Sequence, residues 1–157
     1  MKTIKSNMYR KILGDFGELF ILYWLSKRNH EPVLIDYTGI DILSLNKSTG
    51  KSWGISVKSR IRAENKEKSS INVPAKQILL IKEACKSFNC EGFFGCVIDK
   101  EKSREIDIYI IPFEKTLEIN NYNQKRLYIK FNDNYINLYK ELKNSIIIQM
   151  KYNEIIK

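Results

Sequence analysis

The chain has 157 residues, 43% of them apolar and 29% charged. That balance suits one globular domain around a single core and argues against long disordered segments. Lys and Arg number 27 against 18 Asp and Glu, a formal charge of +9, which attracts polyanions and makes nucleic acid the expected partner. A coding bias toward Lys, Asn and Ile would raise the charge with no function attached, so charge alone leaves both readings open.

The cysteines, Cys85, Cys90 and Cys96, form no CxxC pair, and His30 is the single histidine. A structural zinc needs about four N/S ligands, so zinc and a disulfide framework are both set aside and a reducing cytoplasm is the expected location. Met1–Ser6 lacks the apolar core of a signal peptide. The longest apolar run, Phe20–Leu25, is too short to cross a bilayer.

From about Asn7 to Asn29, apolar residues recur at three- and four-residue steps, which predicts a helix. Gly14 and Gly17 interrupt it and leave room for another backbone to approach. His30, at its end, reads as a dipole partner. Val33–Asp36 is a short strand, and Ile40–Asn46 a second after the Tyr37–Gly39 turn. The polar turn Lys47–Lys51 then predicts a hairpin into Trp53–Ser59. In this third strand Trp53, Ile55 and Val57 alternate with Gly54, Ser56 and Lys58, which puts Ser56 and Lys58 on one face.

Arg60–Ser70 reads as a charged, mobile loop. A helix follows from about Ala75 to Phe88, then an apolar, central strand over Phe93–Asp99, paired with Ile106–Pro112. Leu127–Phe131 is a candidate strand. Tyr135–Tyr152 reads as a helix, with the β-branched Ile146-Ile147-Ile148 leaving a strand open. The expectation is an α/β domain over residues 1–157, a mixed central sheet flanked by helices in the order αβββαβ, with residues 113–157 as a C-terminal extension packed on the core.

An acid, Asp41, near the start of the second strand faces Ser56-Val57-Lys58 on the third, beside a helix that carries Glu18. The pieces Gly14-Asp15-Phe16-Gly17-Glu18, Gly39-Ile40-Asp41-Ile42 and Ser56-Val57-Lys58-Ser59-Arg60 resemble the PD-(D/E)XK nuclease superfamily, most of all its Holliday-junction-resolvase branch. The resemblance spans roughly residues 14–99. It implies a restriction-endonuclease-like core and a metal-dependent endonuclease hydrolysing DNA phosphodiesters with Mg²⁺ or Mn²⁺. Asp41 then matches the central metal ligand, Glu18 the helix-borne acid, and the Val57 carbonyl a further ligand. Lys58 orients or deprotonates the attacking water and offsets charge on the phosphate.

One position departs from the pattern. Ser56 stands where the family usually has Glu, Asp or Gln, and a hydroxyl is a weaker Mg²⁺ ligand than a carboxylate. A downstream acid is the expected replacement, with Glu67 favoured over Glu64 and Glu83. Arg60, Arg62, Lys66 and Lys68 are candidates for nucleic-acid contacts. The alternative is a catalytically degraded module of the same fold that binds nucleic acid or a protein partner. Separately, the basic loop reads equally as a solvated surface. No membrane association is expected. A homodimer is compatible with cutting two strands, with Leu138–Tyr152 as a candidate contact.

Overall fold

The apolar periodicity of the first segment produces α1 (Tyr9–Ser26). Gly17, Ile21 and Leu25, four residues apart, form its buried face. The computed structural model describes residues 5–153 and residue 155, so Met1–Ile4, in the stretch read for a signal peptide, lies outside the described residues.

After α1 the chain forms an antiparallel meander of β1 (His30–Tyr37), β2 (Ile40–Asn46) and β3 (Lys51–Arg62). Gly39 makes the first turn at φ 107°, and a Cβ there would sit 2.3 Å from the Leu80 carbonyl oxygen. Only glycine serves at that point. β4 (Ile71–Pro74) leads into α2 (Ala75–Ser87), and the chain returns as β5 (Glu91–Lys100), parallel to β3. β6 (Glu105–Pro112), α3 (Phe113–Ile119), β7 (Arg126–Ile129), α4 (Asp133–Glu141) and β8 (Ile146–Lys151) complete it.

The main sheet runs β1-β2-β3-β5-β6-β8, and β4 pairs with β7 in a small second sheet. α1 covers one face of the main sheet, where Ile21 and Leu25 pack on Ile42, Trp53, Ile55, Phe93 and Val97. The other face, with Phe94, Cys96, Ile98 and Tyr109, lies under the small sheet and α2, through Ile71, Val73, Leu127, Ile129, Ile78 and Ile81. The expected mixed α/β architecture, a mixed sheet flanked by helices, is the one observed.

Several expectations change in detail. The expected C-terminal helix is two elements. α4 starts where the Asn132 side chain accepts the Tyr135 N–H at 3.2 Å, an N-cap. It stops at Glu141, and the triple isoleucine joins β6 as β8, as β-branched side chains favour. From Phe113 onward the chain thus gives a strand to the main sheet as well as Phe113, Leu117, Phe131 and Tyr139 to the core.

The segment expected to be a mobile loop from Arg60 is strand as far as Arg62, because β3 follows β5 for its whole length. The Arg62 guanidinium then donates to the carbonyls of Ser69 and Ser70 at 3.3 and 2.9 Å, tying the loop down. His30 opens β1 rather than closing α1. It is buried, shares a hydrogen bond of 3.0 Å with the Ser44 hydroxyl and meets Trp53 edge-on. Asparagines also have a use beyond composition. Asn29, Asn89 and Asn121, just past α1, α2 and α3, all take positive φ, a conformation asparagine tolerates better than most residues.

Candidate active site

β2 and β3 pair from Asn46↔Lys51 to Ile42↔Ile55 and then part. β3 continues alone on that side, held by β5. At the fork, the Asp41 side chain takes over from the β2 backbone. Its Oδ2 accepts the Val57 N–H at 2.6 Å, which fixes the carboxylate against β3 and leaves its other oxygen free of that bond.

The alternation expected for β3 holds. Lys58 Nζ donates to the Ser56 hydroxyl at 2.9 Å and to the Val57 carbonyl at 3.1 Å, so Ser56 and Lys58 share a face. Ser56 is fully buried. Burial pushes the Lys58 amine below its ordinary value, while Asp41 and Glu18 pull it back up.

Glu18 reaches the fork because of the residue before it. Gly17 is buried against β3, and a Cβ there would lie 1.9 Å from Ser59 Oγ. The bare Cα lets α1 lie close on the strand, against a side chain rather than the expected backbone. Glu18 then lies close enough to Asp41 to feel its charge. Burial raises the Glu18 carboxyl first, and the charges of Asp41 and Asp15 raise it further, with Lys58 opposing. Glu18, Asp41 and Lys58 therefore sense one another electrostatically.

The downstream acids are not among these groups. Glu67 lines a shallow cavity of about 360 Å³ with Asn65, Lys68, Lys100, Ser103 and Glu105. Lys58 lies opposite Cys96, and Arg62 opposite Lys100. The two ends are thus about 13 Å apart along the strand at the usual rise per residue. Glu64 pairs with Lys102, and Glu83 is exposed on α2. Among the basic residues, Arg62 is committed to its loop, Lys68 pairs with Asp133 at 3.0 Å, and Lys66 is exposed. Arg60 lies on the edge of β3 that β2 leaves uncovered, with Tyr9 and Arg10 of α1 close by. Sequence reasoning passed over those two, although Arg10 falls on the same helical face as Gly17.

The donor set is two carboxylates, a backbone carbonyl and a hydroxyl. Among the described residues, no cluster of three or more His, Cys, Asp or Glu side chains is suited to a metal. Two carboxylates suffice for Mg²⁺, which keeps several waters and takes further oxygens from a phosphate substrate. The mutual repulsion of Glu18 and Asp41 is the electrostatics a cation between them would relieve. The residues present fit such an ion.

Neither a family model nor a curated protein matches the chain. Among solved structures, the chain is similar to a Holliday junction resolvase from the archaeal hyperthermophile Archaeoglobus fulgidus, with a TM-score of 0.58 and 15% identity over 80% of this chain and 88% of that one. It also aligns with a restriction endonuclease in complex with substrate DNA, over 94% of this chain and 76% of that one, at 11% identity. The TM-score of 0.39 makes that second likeness too loose to argue from. Among the described residues, no helix is long and apolar enough to cross a membrane.

Proposed function

We propose that this protein is a metal-dependent nuclease that hydrolyses DNA phosphodiester bonds, with Mg²⁺ or Mn²⁺ held by Asp41 and Glu18 and by the Val57 carbonyl. The observation that carries the reading is the meeting of Asp41, Glu18 and Lys58 at the β2–β3 fork, with Asp41 locked onto β3 through Val57. The net charge of +9 suits a polyanionic substrate.

The bound ion would polarise the phosphate and acidify the attacking water. The remaining roles belong to the chain. Asp41, fixed by the Val57 N–H, needs no rearrangement to accept a cation. Lys58, whose amine burial lowers from its ordinary value, can orient or deprotonate the attacking water and offset charge on the phosphate. The water oxygen bonds to phosphorus as the bond to the leaving oxygen breaks, and the leaving oxygen takes a proton from solvent. Neither Glu67 nor another downstream acid has a part in this scheme.

Duplex, nicked, branched and single-stranded DNA incubated with Mg²⁺ or Mn²⁺ provide the test. Cleavage should be lost in Asp41→Ala and Lys58→Ala. If neither variant differs from the wild type, the assignment fails.

A second reading has its own support. Ser56 sits where a third acid would, buried and occupied by Lys58. On this reading the fold keeps nucleic-acid binding and has lost catalysis. It requires salt-sensitive DNA binding indifferent to metal, and any metal-dependent cleavage rules it out.

A further inference from the structure

Between the N-terminal half of α1 and the uncovered edge of β3 runs a cleft of about 390 Å³, lined by Tyr9, Arg10, Leu13, Ser59, Arg60 and Ile61. Two of these six residues are arginines and none is acidic. We propose that this cleft is a phosphodiester subsite, in which Arg10 and Arg60 hold a backbone phosphate one or two nucleotides from the bond that is cut. The inference rests on the nuclease reading and joins Arg60, already a candidate nucleic-acid contact, to Arg10 of α1, which lies outside the motif.

Charge is the first argument. Lys58, Arg60 and Arg62 are successive alternate residues of β3. Arg60 helps to push Arg62 below its ordinary value, after burial. Arg10 lines the same cleft as Arg60, from α1. Among the described residues, Arg10 and Arg60 have no carboxylate partner. Two arginines lining one cleft without an acid repel one another, and a bound anion relieves that cost.

Donor geometry is the second. Arg60 uses one guanidinium N–H on the Ser59 carbonyl at 2.8 Å. That bond anchors the head group and leaves four of about five N–H donors for a ligand. Arginine presents a planar fork matched to phosphate oxygens. Ser59 Oγ is buried without a hydrogen-bond partner among the described residues.

Position is the third. Arg60 lies two residues past Lys58, about 7 Å along the strand. Each strand of duplex DNA carries one phosphate per ~3.4 Å of helix axis, so a strand threaded over Lys58 brings its next phosphates to the cleft. Arg10 lies eight residues before Glu18, about 12 Å along the helix. The cleft therefore extends the path away from Asp41. Its volume holds a phosphate together with several waters, at roughly 30 Å³ per water.

The test is binding of a labelled DNA duplex by the full chain without metal, followed across salt concentration. For the wild type, log affinity should fall steeply with log salt. Arg10→Ala and Arg60→Ala should each weaken binding several-fold and lower the slope by about 0.9, the loss of one phosphate contact. Arg60→Lys should keep the slope. Lys140→Ala, which removes an exposed charge on α4, should leave it unchanged. If both arginine variants behave like Lys140→Ala, the subsite is wrong and the nuclease reading stands. If the wild type binds no DNA, both fail. Inorganic phosphate is the remaining arm. It should compete no better than chloride at equal ionic strength; stoichiometric, Arg10-dependent phosphate binding would reassign the cleft to the free anion.

Discussion

Asp41 Oδ2 accepts the Val57 N–H at 2.6 Å, at the point where β2 leaves β3. One side chain thus completes the sheet and presents a carboxylate at the fork. Substitutions can separate these two functions. Asp41→Asn keeps a carbonyl acceptor for Val57 and loses the charge. Its stability in urea should stay within about 1 kcal/mol of the wild type, while Asp41→Ala, which strands the N–H, should lose about 1–3 kcal/mol. Both should lose metal-dependent cleavage. Equal stability for the two variants would mean the bond contributes nothing.

Gly17 and Ser59 set how closely α1 approaches β3. A methyl at position 17 meets Ser59 Oγ at 1.9 Å and Ser59 Cβ at 3.2 Å. The hydroxyl can rotate away and the Cβ cannot. Gly17→Ala should therefore cost about 1–2 kcal/mol, in the range of overpacking, and weaken activity by displacing Glu18. Adding Ser59→Ala should restore part of the stability. Additive effects in the double-mutant cycle would show that the two do not press on each other.

Lys58 is an expense to the fold. A lysine held below its unfolded pKa stabilises least while charged. Its contribution rises with pH from the folded pKa up to the unfolded value of 10.5. Lys58→Met should thus raise stability near pH 7 by roughly 1 kcal/mol, because burial of the charge outweighs the pull of Asp41 and Glu18, and abolish cleavage. A less stable variant would show that Lys58 is held for structure.

His30 gives a second pH dependence, at an unrelated place. Burial holds its pKa below 6.5. A folded histidine with a depressed pKa binds fewer protons than the unfolded chain, so stability is lost as pH falls below 6.5 toward the folded value. As the single histidine, it can be followed by its NMR ring signals without assignment. A midpoint at or above 6.5 would contradict the burial.

Asp107 is buried, bonded to Lys100 Nζ at 2.5 Å and to the Tyr109 hydroxyl at 2.9 Å. Lys100→Met should cost about 3–5 kcal/mol, because it leaves a buried carboxylate without its cation. Lys100→Met with Asp107→Leu should recover most of that loss. A single variant that melts like the wild type would show that the buried carboxylate does not depend on Lys100.

The parts of this fold legible in the sequence were those with a regular period. The apolar–polar alternation of Trp53–Lys58 located Ser56 and Lys58, and the helical period of the first segment placed Glu18 beside the sheet. β7 matches the candidate strand at Leu127–Phe131, whereas β4, with four residues, is too short for a period to emerge, and the pairing of the two joins segments far apart in the chain. Glu67 was favoured because it follows β3 in sequence. β3 runs three residues further than its apolar pattern, to Arg62, and carries the loop to the opposite end of β5. Nothing in the helical period marks the exposed Arg10, which gains a neighbour in Arg60 only because β2 leaves the edge of β3 bare.

Single-turnover cleavage of supercoiled plasmid and branched DNA, with enzyme in excess over a range of Mn²⁺ concentrations, tests the central claim most directly. The account expects nicking that requires the metal, is lost at least 100-fold in Asp41→Asn, in line with losses on removing a key active-site group, and persists in Lys140→Ala. DNA bound but uncut at every metal concentration, or cut equally well by Asp41→Asn, would contradict it.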